Sequence, residues 1–304
     1  MKIYRRDFLH HVSCIGLGSA LISSCQSTPK NKGPHPSGNF TLWQLPSQTP
    51  SQMNSYVLQT THGTIIVIDG GTAGDAPYLR GFLAALGNQV EAWFISHPHS
   101  DHVDALTVLL NHPGDLAIGT IYSSLPEETW IEQYEPACLT TCREFQLALQ
   151  KSSREVSELT IGQLIQIDGV CFEILAVKNP EITSNAINNS SMVMKVSDRE
   201  KSVLFTGDLG VEGGEKLLHS SYGTQLHADY VQMAHHGQNG VNERFYQAVA
   251  PRFCLWPTPL WLWDCDNGGG KGSGPWDTLN VRAWMDRLPV QKHYISGFGL
   301  CKIE

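Results

Sequence analysis

Apolar residues in this chain gather in short runs that end abruptly on a polar or small residue. "TIIVIDGG" (Thr64–Gly71), "VEAWFIS" (Val90–Ser96), "LAIGTIYSSL" (Leu116–Leu125), "SVLFTGD" (Ser202–Asp208) and "DYVQMA" (Asp229–Ala234) have strand length, and each reads as a buried strand. Further strands are expected in "LIQIDGVCFEILAV" (Leu164–Val177), folded about an Asp-Gly turn, and in "SSMVMKV" (Ser190–Val196). Between these runs the apolar spacing becomes helical, over Ala76–Leu86, Val103–Leu110, Gly213–Ser220 and Thr278–Leu288. A long helix is expected over Glu127–Ser152, interrupted or bent at Pro136. Strands and helices alternate in both halves, which suggests an α/β protein with two sheets packed face to face and helices outside.

One of these strands runs straight into "ISHPHSDHVDA" (Ile95–Ala105), which places three histidines and an aspartate within six residues at a strand-to-helix turn. His97 and His99 are two apart on an extended segment, so their side chains can point the same way. Pro98 between them fixes its own φ and pushes His97 towards an extended backbone. Asp101 and His102 fall beyond the turn and can aim at a neighbouring point. Imidazole suits zinc and similar ions and carboxylate suits harder ones, so this one segment can offer two ligands to each of two adjacent ions. Other strand ends carry groups of the same kind: Asp69 before two glycines, Asp208 at the end of "VLFTGD", and His235–His236 before Gly237. A strand-end aspartate alone is often only a turn residue. Four strand ends delivering metal-type ligands to one rim make a site.

The amino terminus reads differently. "YRRDFLHH" (Tyr4–His11) precedes an apolar stretch, Val12–Ser23, that is too short to span a bilayer. It resembles a twin-arginine export signal, and "LISSC" resembles a bacterial lipobox ending at Cys25. The expectation is a signal peptide over 1–25, a Pro/Gly/Ser/Lys-rich tether over 26–39, and a domain over 40–304, exported and lipid-anchored at Cys25 on the outer face of a bacterial membrane. Losing residues 1–24 removes three basic residues and one acidic, taking the net charge from −8 to −10. Such a chain lacks the broad basic surface that extended nucleic acid requires. A small-molecule substrate is therefore expected. Six cysteines remain besides the anchor, and their spacing does not choose among the pairings an oxidising compartment allows.

The histidine cluster resembles the signature of the metallo-β-lactamase-fold hydrolases, His-x-His-x-Asp-His, standing here as His97, His99, Asp101 and His102. The resemblance covers residues 40–304 and implies a four-layer αβ/βα sandwich with two divalent ions, zinc before manganese, at the edge of its sheets. By that pattern His97 and His99 bind the first ion, Asp101 and His102 the second, and Asp208 bridges them. One of His235 and His236 completes the second ion, with His236 preferred. His235 then faces the substrate or supports the ligands from behind, and Asp69 supports the histidine cluster. One departure stands out: the further histidine expected before the bridging aspartate is missing, because His112 is too close and Thr183–Val196 contains none. Occupancy of the first site is thereby left open. "INNSSMV" with "FTGD" and "HHG" resembles the extracellular domain of the bacterial competence (DNA-uptake) channel protein and its free-standing relatives. Asn188 or Asn189 then either lines the site or forms an Asx turn before a strand.

Two such ions would hold a water as hydroxide and brace the attacking and leaving oxygens, which suits hydrolysis of phosphodiesters and other small esters. Asp101 or His235 is the candidate for relaying a proton to the leaving group. A non-catalytic binding module with a structural metal is the rival reading, and β-lactam hydrolysis is disfavoured by the missing histidine. "LWPTPLWLWDCDNGGGKGSGPWDT" (Leu255–Thr278) carries four tryptophans around a glycine-rich loop, as core and connector or as a platform at the site mouth.

Overall fold

A computed structural model of the chain describes residues 38–304. The expected signal segment 1–25, Cys25 and all but the last two residues of the tether lie outside the described residues. Those last two already belong to the fold: Gly38 donates its N–H to the Gly169 carbonyl, and the Asn39 carbonyl accepts from Thr61. No helix of the described residues is long and apolar enough to cross a membrane.

The first sheet contains β1 (Phe40–Gln44), β2 (Ser55–Thr60), β3 (Ile65–Asp69), β4 (Gln89–Phe94), β5 (Ala117–Ser123) and β6 (Val156–Glu158). The second contains β7 (Leu164–Ile167), β8 (Val170–Ala176), β9 (Val193–Ser197), β10 (Ser202–Phe205), β11 (Tyr230–Gln232), β12 (Phe253–Trp256) and β13 (Lys292–Ile295). The last strand, β14 (Cys301–Ile303), returns to the first sheet beside β1. Each sheet changes character along its width. From β1 to β3 and from β7 to β10 neighbours are antiparallel; from β3 to β6 and from β10 to β13 they are parallel. The carboxyl ends of β3, β4, β10 and β11 thus fall within or at the border of the parallel portions, where loops are free to carry ligands.

Packing follows the two-residue period of a strand. In β3, Ile65 and Val67 face a core formed with helices α1 (Ala76–Ala85), α2 (Ser100–Asn111) and a third helix, while Ile66 and Ile68 face the core between the sheets. In β4 the period slips: Val90 and Trp93 share the helix side, and Ala92 and Phe94 the inter-sheet side. A bulge at Glu91 explains this, since Ile65 pairs with Val90 and Ile66 with Ala92. Phe94 then stacks on Tyr122 of its own sheet and on Phe172 of the other, with ring centroids 4.8 and 5.1 Å apart. On the far side of the second sheet a separate core takes Leu217, Phe245, Tyr246, Val281 and Met285. The layers run helix, sheet, sheet, helix.

The expected long helix is two, α3 (Glu128–Tyr134) and α4 (Leu139–Ser152), parted by a single turn at Pro136–Cys138. A proline cannot donate into the helix and turns the preceding residue out of it. The expected strand from Ser190 starts only at Val193, because Ala186–Asn189 forms a short helix, α5. The expected helix at 213–220 is α6 (Val211–His219). Sequence reading overlooked β1, β2, β6 and β12, and also α7 (Glu243–Val249) and the one-turn α8 (Leu260–Trp263). The last helix, α9, covers Thr278–Met285.

Candidate metal centre

Asp69 occupies the end of β3 with φ +53, a left-handed conformation that aspartate tolerates better than most residues. Its carboxylate is fully buried and saturated. Oδ1 accepts the Ser96 N–H (2.8 Å), and Oδ2 accepts from Ser96 Oγ (2.7 Å), Asn54 Nδ2 (2.7 Å) and His102 Nδ1 (2.8 Å). Asp69 therefore holds the turn after β4 and the ring of His102, and has no free oxygen to offer an ion.

Helix α2 begins at Ser100, with His99 as its extended N-cap. Asp101 and His102 thus sit in its first turn, where the helix dipole favours a carboxylate. Asp208 follows the turn after β10. Its N–H donates to Ser191 Oγ (3.0 Å), and Gly207 before it has φ +53 and no room for a Cβ against Ser191 and Ser96. The fully buried Gln232 pins this turn, donating from Nε2 to the Gly207 carbonyl (2.9 Å) and accepting the Thr206 N–H (2.8 Å). His235 and His236 both lie in the left-handed region (φ +51 and +57), followed by Gly237 at φ +78. Two such residues in a row cost of order 1–3 kcal/mol each and persist only where surrounding contacts demand it. Those contacts are the His235 N–H to the Gly207 carbonyl (3.1 Å), Thr258 Oγ1 to the His236 carbonyl (2.5 Å), and the Trp256 ring, which a Cβ at Gly237 would strike at 2.4 Å.

These turns bring His97, His99, Asp101, His102, Asp208 and His236 to one place. Asp101, His102, Asp208 and His236 have ligand atoms within 4.8 Å of one another, and so do His97, His99 and Asp208. Asp208 belongs to both groups: its Oδ1 lies 3.3 Å from His102 Nε2, and its Oδ2 3.3 Å from His236 Nε2 and 3.8 Å from His97 Nε2. His235 stands at the rim, its Nε2 3.9 Å from Asp208 and its side chain 19% exposed.

The hydrogen bonds fix which nitrogen of each ring faces inward. His102 donates from Nδ1 to Asp69, and His236 from Nδ1 to the Pro257 carbonyl (3.0 Å). His99 donates from Nε2 to Glu135 Oε1 (2.9 Å). His97 Nδ1 contacts the hydroxyls of Ser96 (3.1 Å) and Ser191 (3.2 Å). His97 Nε2 and His99 Nδ1 lie within hydrogen-bond distance of each other, at 3.1 Å. His102 and His236 turn Nε2 lone pairs towards carboxylates, His102 Nε2 at 3.3 Å from Asp208 Oδ1 and His236 Nε2 at 2.9 Å from Asp101 Oδ2. Acceptor faces acceptor. Asp101 Oδ2, His102 Nε2, Asp208 Oδ1 and His236 Nε2 are all buried without a hydrogen bond of acceptable geometry. Four such atoms left unpaired would cost on the order of 4–12 kcal/mol, comparable with a whole domain's stability. The cluster needs protons or cations, and its mix of imidazole and carboxylate fits divalent ions of the zinc and manganese type.

Charge behaviour agrees. Burial acts to lower His102 and His236, but the Asp208 carboxylate overrides it, holding His102 well above the ordinary imidazole range and His236 at about 9. Burial acts to raise Asp208, yet His236 and His102 hold it well below the usual carboxylate range. Burial and then the neighbouring His102 depress His97. Burial would lower His99 too, but its contacts with Cys138 and Glu135 push it up to about 10.

Of the two asparagines, Asn189 is committed elsewhere: its Oδ1 accepts the Gly213 N–H (2.9 Å) and its Nδ2 donates to the Ser184 carbonyl (2.9 Å), fixing the start of α6. Asn188 donates to Asn185 (2.9 Å) and keeps a buried, unpartnered Oδ1. Sequence reasoning missed Glu135, Ser96, Ser191 and Gln232. All six cysteines of the described residues are free. The tryptophans divide: Trp256 is core beneath Gly237, with Trp263 edge-on to it at 5.1 Å, whereas Trp261 and Trp276 pair at 4.8 Å. Trp261 borders a groove of about 450 Å³ shared with Pro46, Pro50, Met53 and Phe298.

Residues 48–120 match the model of the Metallo-beta-lactamase superfamily. The solved structure of the metallo-beta-lactamase fold protein YhfI from Bacillus subtilis superposes on 88% of this chain and all of its own, with a TM-score of 0.54 at 16% identity. The chain has the metallo-beta-lactamase fold. The CmlA beta-hydroxylase E377D mutant shares the fold as well, with a TM-score of 0.51 over 89% of this chain and 54% of its own at 14% identity, so the metallo-beta-lactamase fold alone does not settle a reaction. In sequence, the chain is 28% identical over 57% of its length to ComE operon protein 3 of Bacillus subtilis, and 27% identical over 66% to competence protein ComA of Neisseria gonorrhoeae. It spans only 21% and 25% of those relatives.

Proposed function

We propose that the protein is an exported, membrane-tethered, metal-dependent hydrolase of phosphodiester-type or other small ester substrates. The observation that carries this reading is the buried Nε2 of His102 and of His236, each facing the carboxylates of Asp101 and Asp208 without a hydrogen bond, with His97 and His99 beside the same Asp208. A pair of divalent ions held there by His97, His99, Asp101, His102, Asp208 and His236 would supply Lewis acidity and would lower the pKa of a water to about 7.

The chain's own residues then divide the work. His97, His102, Asp208 and His236 are buried and hold; their outward nitrogens are tied to Ser96 and Ser191, Asp69 and Pro257. Solvent reaches the cluster at Asp101, His99 and His235, whose side chains are 12%, 17% and 19% exposed, and this open side is where a substrate enters. His235 donates from Nδ1 to the Asn239 carbonyl (3.2 Å), leaving Nε2 free to take up a proton beside Asp208. Asp101 is the alternative relay. The net charge of −10 without the signal segment favours small substrates over long polyanions.

The test is a panel: protein loaded with zinc or manganese, assayed on bis(p-nitrophenyl) phosphate, p-nitrophenyl acetate and a chromogenic cephalosporin. Turnover of the phosphodiester, lost in Asp208→Asn, is the expected result. A loaded protein inert on all three would instead favour a metal-containing binding module at the cell surface, the reading that the three-group first half-site supports. The tether is tested by Cys25→Ala, which should release the protein from the membrane fraction.

A further inference from the structure

We infer that Glu135 is the positioning residue of the first half-site, fixing the ring and tautomer of His99 and so deciding whether that half-site keeps its ion. The inference rests on the reading that the cluster binds metal. Three of the four histidines take their outward anchor from groups near the strand ends: Ser96 and Ser191 for His97, Asp69 for His102, and the Pro257 carbonyl for His236. His99 alone is anchored from a helix end, by Glu135 just past α3. Glu135 lies just past the end of α3 with an extended φ of −148°, and Pro136 after it prevents the helix from continuing. Its Oε1 accepts from His99 Nε2 (2.9 Å), and its Oε2 accepts the Ile187 N–H at the start of α5 (2.8 Å). The Cys138 thiol lies 3.7 Å from Oε1.

One carboxylate thus ties down both flanks of the half-site. It draws the Nε2 proton of His99 outward and turns Nδ1 towards His97 Nε2, 3.1 Å away. It also anchors the segment that runs on to Ser191, whose hydroxyl contacts His97 and receives the Asp208 N–H. His99 is the most exposed of the four inward-facing histidines, and only His97 and Asp208 remain if its ring turns away. Outer partners of metal-binding histidines typically matter by about 10–100-fold in affinity.

The experiment compares wild type, Glu135→Ala, Glu135→Gln and Glu132→Gln, an exposed carboxylate of α3, in full-length protein. Bound zinc is counted by elemental analysis, and affinity is measured by competition with a chromophoric chelator. ¹⁵N NMR of the zinc-loaded proteins reports which nitrogen of each histidine carries the proton. Wild type should hold two ions. Glu135→Ala should hold one, or bind the weaker ion about 10–100-fold less tightly, with His99 alone changing to mixed tautomers. Glu135→Gln should fall between, because its amide oxygen can serve His99 or Ile187 but not both; it carries the test if the alanine variant does not fold. Glu132→Gln should behave as wild type. Unchanged stoichiometry, affinity and His99 tautomer in a folded Glu135 variant would overturn the inference. Failure of wild type to bind any zinc would instead overturn the functional reading beneath it.

Discussion

The two half-sites share Asp208 and differ in almost everything else. Around the second, His102, Asp208 and His236 are fully buried and only Asp101 meets solvent, and the outward nitrogens of both histidines are held by groups that turn backbone into scaffold: Asp69 at a strand end and the Pro257 carbonyl. The first has His97, His99 and Asp208, with His99 on the open side and held by a carboxylate from a distant helix end. Ligand count and burial both favour the second. The difference teaches that one fold can bury and anchor one group of candidate ligands on its strand ends while leaving the neighbouring group partly open, tied to a contact outside the recognisable motif.

The largest effect should come from the shared group. Asp208→Asn removes the charge that faces His97, His102 and His236 together, so both ions should be lost and kcat/KM should fall by roughly a thousandfold or more, about 4 kcal/mol of transition-state stabilisation. His236→Ala should strip the second ion, and His99→Ala the first. Elemental analysis of the three variants separates them. Equal losses from His236→Ala and His99→Ala would mean that the half-sites bind as one unit and would end the comparison.

Protons offer a finer test of the second half-site. His236 rises from an ordinary 6.5 to about 9 in the metal-free protein, with Asp208 and then Asp101 outweighing the burial that opposes it. A histidine raised on folding stabilises the fold fully below pH 6.5 and loses that contribution as pH climbs through about 9. The metal-free protein should therefore lose thermal stability between those values, while the zinc-bound protein, whose ion replaces the proton, should not. Zinc affinity should rise over the same interval, with proton release on binding visible in calorimetry in buffers of different ionisation enthalpy. A metal-free melting temperature that is flat from pH 6.5 to 9 would show that the second half-site is not proton-loaded in the way its geometry requires.

Why one half-site was legible in the sequence and the other only partly so has a physical answer. Every ligand of the second sits at the end of an apolar strand or in the first turn of the helix that follows, so local periodicity places it; the two-sheet architecture follows from the same runs. The His235–His236 ambiguity needed the left-handed backbone of both residues, which no local pattern of side chains announces. Glu135 had no readable signal: it closes an acidic stretch with Glu127, Glu128 and Glu132 as equals, and only the packing of α3 beside α5 singles it out. Asn188 and Asn189, adjacent in sequence, part company for a similar reason, since only Asn189 meets the start of α6. Strand β1 escaped because Gln44 is as buried as Leu42, its Nε2 spent on the Tyr294 carbonyl and its Oε1 on Tyr56, which blurs the alternation that would mark a strand.

The smallest expected effect probes how far the surrounding acidity helps the second half-site. Asp104 lies one turn after Asp101 on α2, and its carboxyl is pushed up to about 6, first by burial and then by the charges of Glu144 and Asp101. A carboxyl raised on folding favours the fold below its ordinary 3.8 and loses that advantage as pH rises through about 6, so at neutral pH the ionised Asp104 is a burden on the metal-free protein. Asp104→Asn should stabilise that form above pH 6 and not below 3.8, by less than about 1 kcal/mol, because the side chain is only partly buried and solvent screens the repulsion. With ions bound the sign should reverse slightly, since the negative charge that repels Asp101 also attracts the cation that Asp101 holds. Zinc affinity in Asp104→Asn should fall, by no more than about fivefold, a coupling under about 1 kcal/mol. If affinity rose with stability, Asp101 would be held back by its neighbour rather than helped, and the advantage of the second half-site would lie in its burial and anchoring alone.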